Sequence, residues 1–174
     1  MSLSVFHPPT ATDMRRSMGQ FTTGVAVVSA DDGDGDPSAM TISSLTSISL
    51  EPPILLVSLT HGSRTTDAVE TTGRFAVSIL SSRQEALARR FATRGGARFE
   101  DLPCDLSRSG LPLVKDALAH LDCTVHSAHD IGDHRVFYGQ VNDLRWRDGA
   151  GLVFYSGRFG DFHDFGHDEV PWLF

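Results

Sequence analysis

The sequence predicts a mainly β fold with flanking helices, a mostly antiparallel barrel with the helices packed outside. Three observations predict it. Runs rich in β-branched and aromatic residues recur roughly six or seven times, against two or three short helical patterns. Turn-dense connections join several runs as hairpins, notably Asp31-Asp32-Gly33-Asp34-Gly35-Asp36-Pro37 and Gly132-Asp133. No G-x-G-x-x-G opens a helix after the first strand, so a dinucleotide-binding parallel unit is unsupported.

The elements follow in order. Residues 1–11 read as an arm, because Pro8-Pro9 blocks regular structure. Residues 12–20 suit a helix capped by Thr12 or Asp13, with Met14, Met18 and Phe21 at helical spacing. Val25–Val28 is a strand, and after the Asp/Gly turn a second strand covers Ser38 to Ile48. Glu51-Pro52-Pro53 punctuates the chain. Ile54–Leu59 is nearly continuous apolar, as in a strand buried on both faces. A short helix spans 64–72 and ends at Gly73, and Phe75–Leu80 is another buried strand. Ser82-Arg83-Gln84-Glu85 reads as a capping box opening a helix to about Phe91, stopped by Gly95-Gly96. Residues 95–113 read as a surface loop. Ala119–Ala128, Arg135–Trp146 and Leu152–Ser156 read as three more strands.

The 174 residues suit one domain, with residues 160–174 as a C-terminal tail. Hydrophobic residues make up 40% and charged residues 21%, an ordinary globular composition. The 15 Lys+Arg against 22 Asp+Glu give a net charge of -7. That balance argues against broad affinity for nucleic acid or for anionic membranes, and leaves room for a small local basic site. Cys104 and Cys123 make no disulfide framework. No signal-like start and no membrane-length apolar run is seen, so a soluble cytoplasmic protein is expected. The apolar stretch Val170-Pro171-Trp172-Leu173-Phe174 is expected to dock on its own core or on a partner subunit.

Three constellations carry chemistry. Between Thr41 and Ser49 hydroxyl residues stand on both faces of the expected strand, with Thr41, Ser43, Leu45 and Ser47 on one face and Ser44, Thr46 and Ile48 on the other. This is either a solvated edge strand or a ledge along a polar, planar ligand. His61-Gly62-Ser63-Arg64-Thr65-Thr66 ends a buried strand and opens a helix. It is either a plain N-cap or a phosphate site made of helix N–H groups, hydroxyls and the Arg64 fork. Gly132-Asp133-His134-Arg135 is either a turn with a surface His or an imidazole oriented by a carboxylate. Metal readings are weaker. Asp32, Asp34 and Asp36 lack the Gly and closing Glu of a calcium loop, and Cys123, His126 and His129 do not share a strand face. His163 and His167 would need a helix that Gly160 and Gly166 disfavour, and no G-x-S-x-G supports a hydrolase.

These blocks resemble, in order and spacing over about residues 12–160, the flavin reductase family with the FMN-binding split-barrel fold. The resemblance runs through Phe21–Val28, Met40–Ser47, Glu51-Pro52-Pro53, Ser63-Arg64-Thr65, Gly73–Leu80, Leu121-Asp122-Cys123 and Gly132-Asp133-His134. It implies an antiparallel split β-barrel of the FMN-binding type and an NAD(P)H:flavin oxidoreductase. That enzyme would pass hydride from NADH or NADPH to FMN or FAD and supply reduced flavin to a partner monooxygenase, with a homodimer as the working form. It implies flavin contacts at Met40, Thr41, Ser43 and Ser44, at Ser58, Leu59 and Thr60, at Arg64 and Thr65 for the phosphate, and at Arg90-Phe91. It implies nicotinamide contacts at His134 and at Tyr155-Ser156-Gly157-Arg158. No protein nucleophile is required. The chain departs from the family pattern at Ala39, commonly Gly, at Ser78, frequently Asn, and at Ser156, where a larger residue is common. The rivals are a non-catalytic flavin-binding barrel, a pyridoxamine-phosphate-oxidase-like enzyme, and a metal-assisted enzyme using Cys123, His126 and His129.

Overall fold

The computed structural model describes residues 6–31, 33, 35, 37–93, 99, 102–164 and 166. Along the chain lie α1 (Ala11–Met18), β1 (Thr23–Gly24), β2 (Ala26–Ala30), β3 (Ser38–Ile42), β4 (Thr46–Leu50) and β5 (Pro53–Thr60). Then come α2 (Arg64–Thr72), β6 (Arg74–Ile79), a 3₁₀ turn (Ser82–Gln84), α3 (Glu85–Phe91), β7 (Cys104–Leu106) and β8 (Pro112–Val114). Last come β9 (Ala119–Ile131), β10 (His134–Trp146), β11 (Leu152–Tyr155) and β12 (Arg158–Asp161).

Seven strands form one antiparallel sheet in the order β3-β2-β6-β9-β10-β5-β4, flanked by the small sheets β1-β11-β12 and β7-β8. The stretch 38–48, expected as one strand, is two strands on opposite edges of the main sheet. The sheet curls until β3 packs on β5, so the chain crosses the split of the barrel at Ser43-Ser44-Leu45. Ser44 makes the break. Its hydroxyl donates to the Ser58 carbonyl at 2.9 Å and accepts the Ser58 N–H at 3.1 Å, replacing ladder bonds with a side-chain staple.

Other expectations shift by a residue or a face. Thr10, not Thr12 or Asp13, caps α1, and Asp13 reaches back to it in a capping box. Met14, Met18 and Phe21 are all more than half exposed, so α1 buries no apolar stripe. The second capping box is Ser81 with Gln84, because the Gln84 amide, itself buried, also donates to the Lys115 carbonyl at 2.8 Å. Strand β5 is buried on one face only: Leu55, Val57 and Leu59 point inward, while Ile54, Leu56 and Ser58 are half-buried. The expected loop 95–113 contains β7 and the start of β8, three residues each and too short to show a period. The expected tail begins later, since β12 runs to Asp161. Gly95-Gly96, the Asp32, Asp34 and Asp36 carboxylates, His167 and Val170–Phe174 lie outside the described residues.

Alternate residues of β2 feed two cores. Ala26, Val28 and Ala30 face the barrel interior with Phe75, Phe137 and the α2 residues Ala68 and Val69. Val25, Val27 and Ala39 face α3, where Ala88 and Phe91 cover them. Cys123 lies in the interior core, and burial, with help from the Asp122 charge, pushes its thiol up to about 12. A thiol reagent applied to the native protein should therefore label Cys104, which is exposed, and spare Cys123. Timed mass spectrometry checks this, and rapid double labelling would contradict the packing.

Candidate functional site

The hydroxyl residues expected to line a ligand divide into committed and open ones. The Thr41 side chain donates to the Ala88 carbonyl at 2.8 Å and so faces α3, while Met40 packs half-buried on the opposite, interior face. Ser44 is the staple to β5 already described. Ser43 is exposed at the crossover, Ser58 is half-buried, and Thr60 is exposed at the end of β5. The face-sharing expected from one continuous strand is lost with the break at Ser43.

Helix α2 starts beside them. Ser63 is its N-cap and accepts the Thr66 N–H at 3.1 Å, and the Thr66 hydroxyl donates to the Thr60 carbonyl at 2.8 Å. That bond ties the helix start to the open end of β5. Gly73 closes the helix in the left-handed region at φ 66°, which its lack of a Cβ allows. Arg64 is half-buried at the first helical position, whereas Thr65 is only 3% exposed. Thr65 is therefore packed beneath the helix start, and Arg64 is the more open of the two. Together Arg64, the helix N-terminus and the open hydroxyls form a donor set suited to a phosphate ester carrying a polar chain.

His134 opens β10 directly opposite Thr60. Its Nδ1 lies 2.7 Å from the Asp133 carboxylate, and its Nε2 lies 3.4 Å from the Thr60 hydroxyl. The hydrogen bond from His134 is the main cause holding the exposed Asp133 carboxyl below the usual range, with the Arg15 charge of α1 adding to it. The ring is thus held from both sides with part of its face open. Next to it, Arg135 pairs with Asp130 at 2.8 Å and with Glu70 at 3.1 Å, which braces the β9–β10 turn against α2.

Tyr155, Ser156, Gly157 and Arg158 form the β11–β12 hairpin. Ser156 at φ 46° and Gly157 at φ 78° make its two-residue turn with both residues left-handed. The Tyr155 hydroxyl donates to Gln20 at 2.9 Å, and the Ser156 N–H donates to the Gly19 carbonyl at 2.9 Å. The hairpin is therefore stapled to the end of α1. No sequence signal pointed to Gly19 and Gln20, because their partners stand far along the chain.

Two of the residues expected to contact the flavin are buried. Leu59 is 0% exposed in the interior core. Phe91 is 1% exposed and packs on Phe99 with the rings tilted at 41° and their centres 5.1 Å apart. It borders a cavity of about 640 Å³ that Arg147 also lines, just past the last residue of β10, whereas His134 is the first residue of that strand. Arg90 is exposed on α3, and it is Arg89 that lies over the Phe159 ring, at 5.0 Å. Of the rival metal set, Cys123 is sealed in the core while His126 and His129 are exposed. No group of metal-ligating side chains converges among the described residues. No helix among them is long and apolar enough to cross a membrane.

Comparison with known proteins gives the site its context. Residues 18–163 match the family described as flavin reductase like domain. An NADH-dependent flavin reductase from a Rhodococcus species is 38% identical over 167 residues, covering 95% of this chain and 93% of that protein. HsaB of Rhodococcus jostii, the reductase subunit of a flavin-dependent monooxygenase, is 36% identical over 159 residues, covering 91% and 81%. Among solved structures, the Streptomyces globisporus NADH:FAD oxidoreductase SgcE6, in complex with NAD and FAD fragments, superposes with a TM-score of 0.87. It is 35% identical, and the match covers 95% of this chain and 100% of that one.

Proposed function

The chain belongs to the flavin reductase-like domain family, and on that premise we propose how its split barrel works: it is an NAD(P)H-dependent reductase of FMN or FAD that supplies reduced flavin to a partner monooxygenase. One observation supports the placement most directly. The start of α2, the exposed Thr60 hydroxyl and the braced His134 ring meet where β5 ends and β10 begins.

When both nucleotides are bound, their own chemistry moves a hydride from the nicotinamide C4 to the flavin N5. The protein's part is to position them. Arg64 and the first N–H groups of α2 hold the flavin phosphate. Ser43, Ser58 and Thr60 read the ring edge and ribityl chain, with Met40, Thr41, Ser44 and Leu59 shaping the ledge beneath. His134, kept in place by Asp133 and Thr60, orients the nicotinamide, and Tyr155–Arg158 meet the rest of that nucleotide. A homodimer is supported by the open edge strand β4, which leaves Ile48 and Leu50 uncovered. A cytoplasmic setting fits the free, unpaired cysteines.

The test is NADH and NADPH oxidation with and without added FMN or FAD. A flavin-dependent rate is expected, and its absence would reject the assignment. For His134→Ala we expect the KM for NADH to change by about tenfold, the scale of one lost hydrogen bond and its desolvation. Flavin affinity measured by fluorescence quenching should stay as it was. An unchanged response to nicotinamide would remove His134 from that role.

A further inference from the structure

The start of β10, which carries His134, is fastened to helix α2 at two points one helical turn apart. The first is the Thr66 hydroxyl, which donates to the Thr60 carbonyl at 2.8 Å, and the Thr60 hydroxyl in turn lies 3.4 Å from the His134 Nε2. The second is Glu70, four residues after Thr66 and so on the same face of the helix. Its Oε1 lies 3.1 Å from the Arg135 Nε. That Nε is sealed from solvent and no hydrogen bond among the described residues engages it, so the Glu70 charge is what offsets it. On its other side Arg135 donates from Nη1 to Asp130 at 2.8 Å across the β9–β10 pair, and the same Asp130 oxygen lies 3.6 Å from the His61 Nε2. Successive residues of a strand point to opposite faces, so the side chains of His134 and Arg135 diverge. Arg135 takes the core side: it pairs directly with the buried Leu59, and its guanidinium carbon lies 5.9 Å from the centre of the buried Phe137 ring.

We propose that Glu70 and Arg135 are a positioning pair for the reaction: touching neither nucleotide, they set where the His134 ring stands relative to helix α2. The inference rests on the placement of the nicotinamide at His134. A single fastening through Thr66 would leave the start of β10 free to tilt about that contact. A second one, a turn further along α2, fixes the angle. Hydride transfer rewards such precision, because reacting atoms must stand about 3–3.5 Å apart and aligned. Removing the Glu70 charge leaves a sealed guanidinium nitrogen without its counter-ion, and the side chain must turn outward to reach water. Arg135 adjoins His134 in the chain, so that movement carries the start of β10 with it.

The test is a double-mutant cycle on the full-length protein, Glu70→Gln against His134→Ala, read as the KM for NADH at saturating FMN. Glu70→Gln keeps the shape of the side chain and drops its charge. Alone it should raise the KM for NADH by about threefold to tenfold, the usual size of a coupling between residues in contact, and leave FMN affinity by fluorescence quenching unchanged. Made in the His134→Ala protein, it should add less than about twofold, because the ring it positions is gone. If Glu70→Gln lowers the urea midpoint, Asp130→Asn takes its place in the cycle, since it loosens Arg135 from the other side at a side chain that is 61% exposed. An equal rise in both backgrounds would make the pair a general support of the sheet and overturn the proposal, as would an unchanged KM in the single variant. A KM for NADH indifferent to His134→Ala alone would remove the nicotinamide placement, and the proposal with it. A KM that responds to His134→Ala but not to Glu70→Gln would remove the positioning pair alone.

Discussion

Arg64→Ala is expected to raise the KM for FMN by roughly one to two orders of magnitude while leaving riboflavin nearly unaffected. A hydrogen bond between charged partners contributes about 1.5–3 kcal/mol, and every 1.4 kcal/mol is a factor of about ten in binding. Arg64 is half-buried, so solvent screens part of its charge and places the effect toward the lower end. Riboflavin lacks the phosphate, so it reports any distortion of the ring site and nothing else. Neither Ser63 nor Thr66 can replace the lost cation. Their hydroxyls lie 2.7 Å apart, and each is already engaged with backbone groups around the start of α2. Arg64→Lys should recover charge but not the fork, giving an intermediate KM. Equal effects on FMN and riboflavin would move the phosphate elsewhere.

That prediction depends on a distinction hidden in the sequence. Helix α2 and its Gly73 stop were legible because each uses a short-range signal, while the cap, open in sequence between Ser63 and Thr65, falls to Ser63. The same holds for the hairpins at Asp31–Pro37 and Gly132-Asp133. The uses of Thr41, Ser44 and Thr66 were not legible. A hydroxyl looks identical in sequence whether it faces a ligand or closes a distant backbone group. Thr41 reaches Ala88, 47 residues away, and Ser44 reaches Ser58, 14 residues away. Such bonds exist only after the sheet curls, which also explains why one expected strand became β3 and β4. The buried positions of Leu59 and Phe91 have the same origin: family motifs identify a segment, and the burial of each side chain follows from which face of the element meets the core.

Gly139→Ala should be among the most destabilising single-methyl changes in the chain, by about 1–3 kcal/mol, the usual cost of overpacking a closed core. Nothing local requires glycine there. Position 139 lies inside β10, and its neighbours pair normally with β5. The requirement comes from a close approach. A Cβ at 139 would run into the Phe75 ring, lying 2.9 Å from its Cε1 and overlapping its Cζ, with the Cys123 Cβ at 3.3 Å behind. Phe75 is on β6, separated from β10 by β9, and is 0% exposed. Its ring therefore spans the concave face of the curled sheet, and the missing side chain of Gly139 is what admits it. The β9–β10 register also slips between Tyr138 and Gly139, where the extra curvature is needed. Urea unfolding should show the loss as a lower midpoint with an unchanged slope. Phe75→Leu alone should also destabilise the fold by vacating core volume. If the clash is real, the double variant Gly139→Ala/Phe75→Leu should be more stable than the sum of the two single losses predicts, because the shorter side chain makes room for the added methyl. Strict additivity would mean that the ring and the glycine do not meet, and that the barrel curls less tightly than described.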